Sequence, residues 1–378
     1  MTIFGSSYSN CKEDKMGRKL SFDRVLFLTI LSMMLFGVLM VYSASSIWAL
    51  EHKGSSYYYL NRQVMWAVLG VAIMALTMST DYRQYRRRPV VLGMLAVTGV
   101  LLVWALLSPA VNGAHRWIFV GPFSFQPSEL AKLSMVVILA YHLSSRRNKS
   151  DSPAPSLLPA LLMVGPLILL VFLQKDLGTA VTMGFLLGAL YFLAGLRVKT
   201  LATLALIAMV LVTALVFSEP YRIQRVVDFF VGNPDPLGSG FQLDQSKLAV
   251  ATGGITGKSL GESRQKMLFL PLPHTDFIYA VIGEELGMVG CLAVLTGFLV
   301  ILWRGLRLAM RLQDPFGTYL CLGLTLLLVV QGMINMGVVL GLLPTKGLAL
   351  PLISYGGSSL VASLAAAGVL LNLSQFSD

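Results

Sequence analysis

Charge is what this chain has least of. Only 12% of its 378 residues are Asp, Glu, Lys or Arg, and 56% are hydrophobic. Soluble domains carry roughly 25% charged residues, and together with a mean hydropathy of +0.73 the deficit excludes an ordinary soluble globular protein. Cysteine is also scarce: Cys11, Cys291 and Cys321 are scattered singly, which excludes a disulfide framework and a cysteine-based zinc site. The sequence contains no phosphate-binding Walker loop, dinucleotide fingerprint, His-Glu-x-x-His helix or Gly-x-Ser-x-Gly elbow, so ATP-driven transport and serine hydrolysis are disfavoured. There is no internal repeat or low-complexity tract. The first 21 residues are polar, lack the apolar core of a signal peptide and read as a flexible cytoplasmic tail.

What the chain has is long apolar runs. They fall at about 22–44, 63–79, 89–108, 128–143, 157–174, 177–195, 200–217, 276–303, 315–340 and 355–373, and predict an all-α integral membrane protein of about ten transmembrane helices. Residues 22–378 read as one polytopic domain. The net charge of +11 would suggest nucleic acid in a soluble protein, but here the basic residues alternate between loops. The tail (Lys12, Lys15, Arg18, Lys19, Arg24), Arg83 with Arg86 to Arg88, Arg146 with Arg147 and Lys149, Arg197 with Lys199, and Arg304 with Arg307 and Arg311 mark every second connection. Cytoplasmic loops concentrate Lys and Arg, so both termini are expected in the cytoplasm and no nucleic-acid partner is expected. One long extracytoplasmic loop, about 218–275, then separates helices 7 and 8. Its length argues for function, and within it residues 241–252 read as an amphipathic helix, followed by a Gly-rich portion, 253–261.

That loop ends in Leu270 to Gly287, LPLPHTDFIYAVIGEELG. Pro271 and Pro273 forbid helix, Thr275 is placed to cap one, and Asp276, Glu284 and Glu285 are carboxylates at or inside hydrocarbon, where their cost points to function. On a helix Glu284 lies about 80° round from Asp276 and Glu285 about 180°. Glu284 is therefore the expected companion of Asp276, and Glu285 is expected to pair with another helix. The bland reading of Asp276 is a carboxylate favouring the positive end of a helix dipole; His274 and the two later acids weigh against it.

Three further outer-side clusters stand out. In Gln126-Pro127-Ser128-Glu129, Ser128 reads as an N-cap, and Lys132 is an i,i+3 partner for Glu129; the pair is either self-satisfied or a means of fixing an anion. Lys175-Asp176 makes a very short outer connection that any polar residues could serve. Arg116, beside Trp117, suits an interfacial anchor or a phosphate ligand. Gln331 and Asn335, i,i+4 in a late span, read as interhelical hydrogen-bond donors.

Taken together, GAHRWIFVGPFSFQPSELAKL (113–133), KDLGTA (175–180), DPLGSGFQLDQSKLAVATGGITG (235–257), LPLPHTDFIYAVIGEELG (270–287) and GLLPTKGLALPLISYGGSS (341–359) resemble the SEDS (FtsW/RodA/SpoVE) family of bacterial cell-wall polymerases. The order and spacing match over nearly the whole chain after the tail. Tyr42 to Ser46 and Leu343 to Leu348 are more similar to the division branch than to the elongation branch. Leu272 departs from the pattern, which usually has an acid there. The resemblance implies a multi-pass protein of the bacterial inner membrane, at the division septum, that polymerises lipid II into glycan strands at the outer face. It implies Asp276 as the catalytic residue, with Glu129, Lys132 and Asp176 lining an outer-facing cavity. Arg116, Lys175, His274, Glu284 and Lys346 complete the candidate substrate-binding set. The implied partners are a class B penicillin-binding protein and other division proteins. No cofactor is required by the residues, and a divalent cation, Mg or Mn, at Asp276 stays open. Two alternatives from other classes are a lipid-linked oligosaccharide flippase and a non-enzymatic division scaffold. The crowding of charge on the outer side alone favours an enzyme over the first, and a scaffold leaves the buried carboxylates unexplained.

Overall fold

A computed structural model describes residues 22–111, 113–121, 123–147, 157–217, 223, 239–263, 273–344 and 347–377. The expected spans are all helical: α1 (Arg24–Lys53), α2 (Tyr58–Ser79), α3 (Arg88–Leu107), α4 (Pro127–Arg147), α5 (Leu157–Leu173), α6 (Leu177–Leu193) and α7 (Val198–Phe217), then α9 (Ile278–Arg311), α10 (Pro315–Val339) and α11 (Gly357–Ser374). The stretch of the outer segment read as an amphipathic helix is helical, α8 (Ser239–Gly253), but not amphipathic: Ser246 is buried with Leu243 and Ala249 while Leu248 is exposed. Six of these helices, α1, α2, α3, α9, α10 and α11, are long and apolar enough to cross a membrane; α5 and α6, at 17 residues each, need local thinning of the bilayer to do so, since tilt would shorten their reach further. Two short strands, β1 (Ile118–Val120) and β2 (Phe123–Phe125), form an antiparallel hairpin that was not apparent from sequence.

Opposite ends of the bundle differ in chemistry. At one end Asp23 pairs with Arg304 at 3.4 Å and Arg86 with Asp314 at 3.5 Å, and Asn372 Oδ1 accepts from Tyr82 N at 2.9 Å. These contacts bring the basic connections and the C-terminal end of α11 to one face. At the other end Trp48, Tyr59, His274 and Tyr355 cluster. The sidedness read from the basic residues therefore reappears as geometry.

The helix carrying Glu284 and Glu285 is not continuous. Gly287 sits at φ 64°, ψ −158° inside α9, which interrupts the ladder and frees backbone groups within the bundle. Unsatisfied backbone groups are costly in hydrocarbon, and the Gly-rich loop after α8 supplies their partners. Met288 N donates to Gly254 O at 2.9 Å and Val289 N to Ile255 O at 3.2 Å. From the other side, Lys258 N donates to Glu284 O and Ser259 N to Glu285 O, both at 3.1 Å. The approach is close enough to need glycine: a Cβ on Gly257 would lie 2.1 Å from Glu285 O, and one on Gly287 2.5 Å from Gly257 N. The outer segment thus enters the bundle and hydrogen-bonds into a broken span.

Two expected caps are corrected. Residues 273–277 form turns and α9 begins at Ile278 behind Phe277, with no side-chain cap, so Thr275 is not the N-cap and Asp276 precedes the first helical turn. Likewise α4 begins at Pro127, whose ring suits the first helical position; this places Ser128 inside the helix, where its Oγ accepts from Gln126 Nε2 at 3.0 Å.

Gly287→Ala is expected to destabilise the protein by about 2–3 kcal/mol or more, from the left-handed backbone together with the clash. Gly184→Ala, inside α6 with open space around it, is expected to stabilise by up to about 1 kcal/mol. Thermal unfolding in detergent compares the two.

Candidate active site

The site is assembled from one face of α10. Gln331 and Asn335, one turn apart and buried, both donate to the extended segment that follows Gly347: Gln331 Nε2 to Ala349 O at 3.0 Å and Asn335 Nδ2 to Leu348 O at 2.6 Å. Asn335 Nδ2 also donates to the backbone carbonyl of Asp276 at 2.8 Å. Gln331 Oε1 accepts from Lys132 Nζ at 2.5 Å, and the same ammonium donates to Glu129 Oε1 at 2.9 Å. Lys132 and Glu129 are 1% and 7% exposed, a burial that a charged pair tolerates only when hydrogen-bonded in this way. Two amides one turn apart therefore connect the α4 ion pair to the turn that carries Asp276.

Asp276 is partly exposed at the aromatic end of the bundle. Its carboxylate lies against Gly347, where an added Cβ would stand 3.0 Å from Oδ2. His274, two residues earlier, is 1% exposed and boxed by Tyr59, Tyr355 and Trp48, with ring centroids 4.3, 5.4 and 6.0 Å away; its carbonyl accepts from Tyr355 N at 2.9 Å. Burial pushes its pKa down to about 4, so the imidazole is neutral at physiological pH. The box fixes the turn from below while Asn335 fixes it from the side.

The two glutamates go to different partners. Glu285 accepts from Ser43 Oγ of α1 at 2.6 and 2.8 Å, the interhelical pairing expected for it. Glu284 accepts from Lys258 Nζ at 2.8 Å and from Ser263 Oγ, which holds the inserted loop and gives the residue a role the helical-wheel argument did not foresee. Asp176 caps α6, taking Thr179 N at 3.2 Å and Thr179 Oγ1 at 2.9 Å, and also receives Gln126 Nε2 at 3.3 Å. Arg116 stands 3.9 Å from it and donates to Lys175 O at 2.5 Å. These contacts tie the hairpin to the α5–α6 connection, where Lys175 is exposed. Lys346 lies outside the described residues.

Glu129, Lys132, Gln331 and Ser363 line a cavity of about 10 Å³, the space of about one water. Asp176 is not among its lining residues. Among the described residues no group of three or more His, Cys, Asp or Glu is arranged to hold a metal. An ion at Asp276 would thus take most of its ligands from substrate oxygens and water.

A family described as cell cycle protein, FtsW/RodA/SpoVE, matches residues 23–378. The chain belongs to the FtsW/RodA/SpoVE family. Within it, the chain is 42% identical over 355 residues to a probable peptidoglycan glycosyltransferase FtsW of Geobacter sulfurreducens, covering 93% of this chain and 95% of that one. It is 42% identical over 364 residues to stage V sporulation protein E of Bacillus subtilis, covering 95% and 99%. Among solved structures, a chain of a peptidoglycan synthase complex superposes with a TM-score of 0.76 at 29% identity, covering 95% of this chain and all of that one. Thermus thermophilus rod shape determining protein RodA superposes with 0.70 at 28% identity, covering 95% and 99%. Across this family member, the residues that sequence reasoning missed are Lys258 and Ser263, which reach Glu284 from the outer segment, and the Trp48–Tyr59–Tyr355 box; the aromatic residues of 48–59 were the available signal for the latter.

The buried neutral imidazole makes stability depend on pH. An unfolded His titrates near 6.5, above the folded value of about 4, so the unfolded chain binds the extra proton first. Stability is expected to be complete above pH 6.5 and to fall by at most about 3 kcal/mol as pH drops toward 4. His274→Phe, which keeps the aromatic packing, is expected to flatten that slope in thermal unfolding measured from pH 7 to pH 4.5.

Proposed function

We propose that the chain is a peptidoglycan glycosyltransferase that polymerises lipid II at the outer face of the cytoplasmic membrane, with Asp276 as the general base. The observation that carries this reading is the way Asp276 is held. Its backbone is fixed by Asn335, its carboxylate lies against a glycine at the outer end of the bundle, and it is part of a buried polar ladder that runs to Lys132. Three relatives named as probable peptidoglycan glycosyltransferases, at 42 to 43% identity over most of both chains, support the same chemistry.

A sugar hydroxyl is a weak nucleophile at neutral pH. Asp276 takes its proton as the hydroxyl oxygen of the acceptor lipid II attacks the anomeric carbon of the donor. The bond to the diphosphate breaks and undecaprenyl diphosphate departs with the electron pair. A diphosphate leaves without protonation, so one carboxylate suffices where glycoside hydrolysis uses two, and direct displacement inverts the anomeric centre. Cations stabilise the departing charge. Lys132, Arg116 and Lys175 are the candidates; Lys175 is exposed on the outer connection, and Lys132 and Arg116 are held by Glu129, Gln331, Lys175 O and Asp176. A divalent ion bound with the substrate would supply further charge neutralisation. The similarity to a chain of a peptidoglycan synthase complex favours a class B penicillin-binding protein as partner, and the FtsW relatives favour a place at the division septum with other division proteins.

A flippase reading requires a polar path across the bundle. The polar ladder here stays near the outer end, which favours the enzyme.

Asp276→Asn is expected to abolish lipid II polymerisation by the purified protein with its transpeptidase partner, by at least about 100-fold, the lower range for loss of a general base. Near wild-type glycan formation by a folded, membrane-inserted variant would remove Asp276 from the chemistry.

A further inference from the structure

A cavity lies at the end of the molecule away from Asp276. It has a volume of about 340 Å³ and is lined by Phe22, Asp23, Arg24, Arg304, Arg307 and Arg311, with Val25, Leu308, Ser374 and Ser377 completing the wall. It gathers the start of α1, the last two turns of α9 and the end of α11. Basic residues at cytoplasmic helix ends are ordinary in membrane proteins, and an exposed run of them would need no explanation beyond solvation.

Arg24, Arg307 and Arg311 are exposed, but with Arg304 they surround a concavity. Among the described residues Asp23 is the one carboxylate in the wall, and both its oxygens are occupied: Oδ1 accepts from Leu26 N at 3.0 Å and Oδ2 pairs with Arg304 at 3.4 Å. Among the described residues Arg24, Arg307 and Arg311 form no ion pair. The Nε of Arg304 is buried and has no hydrogen-bond partner, a donor left unmet inside the wall, which is costly unless a ligand or water meets it. The rim is apolar and faces outward. Trp303, 55% exposed, stacks with Arg304 and Arg307 at 5.0 and 5.7 Å, and Val25 and Leu28 of α1 are also exposed. A ligand suited to this site carries a phosphate for the guanidiniums and hydrocarbon for the surface beside it.

We propose that this cavity binds the headgroup of an anionic phospholipid of the inner leaflet, its phosphodiester held by Arg304, Arg307 and Arg311 and its acyl chains lying along α1 and α9. Basic pockets between spans on the cytoplasmic side are suited to such headgroups. A lipid seated there bridges the first span to the long span whose outer half leads to Glu284 and Asp276.

The test is thermal unfolding of the purified full-length protein in detergent with added phosphatidylglycerol, phosphatidylcholine or inorganic phosphate. A ligand that binds only the folded state raises the midpoint. Phosphatidylglycerol is expected to raise it and phosphatidylcholine to leave it unchanged. Arg307→Gln/Arg311→Gln, which spares the Arg304–Asp23 pair, is expected to need about tenfold more phosphatidylglycerol for the same shift. Arg87→Gln/Arg88→Gln, which removes two exposed charges from another basic connection, is expected to respond as the wild type. The proposal is overturned if phosphatidylcholine acts equally, or if both double variants lose the response alike, which would signify surface potential alone. It is also overturned if inorganic phosphate gives the full shift, which would make this an anion site with no lipid requirement.

Discussion

The hydrogen bonds from Gln331 and Asn335 are the constraint on which the outer half of the molecule depends. Each amide has a donor and an acceptor to place in a medium without water, and an unmet polar group there is costly. Gln331 meets both needs by joining Lys132 to Ala349 O, whereas Asn335 meets only the donor's, its amide nitrogen joining Leu348 O to Asp276 O while its buried Oδ1 has no partner among the described residues. Because the two lie one turn apart on a rigid helix, the α4 ion pair, the extended segment after Gly347 and the turn before α9 are fixed in mutual register. The position of Asp276 is thus set by α10, a helix that contributes no charged residue to the site.

The break at Gly287 complements this arrangement. An uninterrupted α9 would satisfy its own backbone and leave the inserted loop nothing to bind. The left-handed glycine exposes backbone donors and acceptors, the loop 254–259 takes them, and Lys258 and Ser263 then satisfy Glu284. The outer half of α9 is consequently held at both ends, by the loop at Gly287 and by Asn335 and the His274 box near Asp276. A displacement of the loop 254–259 would therefore bear on the first turns of this helix.

Much of the fold was legible in the sequence. Apolar runs register spans by length, and alternating basic loops register sidedness, because the bilayer imposes both. That Glu285 pairs with another helix was also readable, since a polar side chain in hydrocarbon must find a polar neighbour. Gln331 and Asn335, read as donors between helices, instead donate to the carbonyls of Ala349, Leu348 and Asp276 outside the helices, and it is the Gln331 Oε1 acceptor that meets another helix, at Lys132. Other features were hidden for physical reasons. Gly287 lies in a pattern that reads as continuous helix, and periodicity carries no information about a left-handed φ. The Lys258–Glu284 pair spans 26 residues of chain and follows from the loop insertion, which hydropathy does not reveal. Thr275 looked like a cap because local capping rules assume that the helix begins where the prolines end, whereas the turn at 273–277 is held by tertiary contacts with Asn335 and Tyr355. Asp276 itself was singled out by motif resemblance, with its chemistry argued from residue type.

The most direct test of the account is the rate of lipid II polymerisation by Asn335→Ala, a residue that touches the Asp276 backbone and carries no titratable group. If Asp276 is the base and α10 positions it, kcat falls by at least about tenfold with KM little changed, as expected when geometry at the reacting centre is lost, in a variant that remains folded. An unchanged kcat in the folded variant would contradict the account.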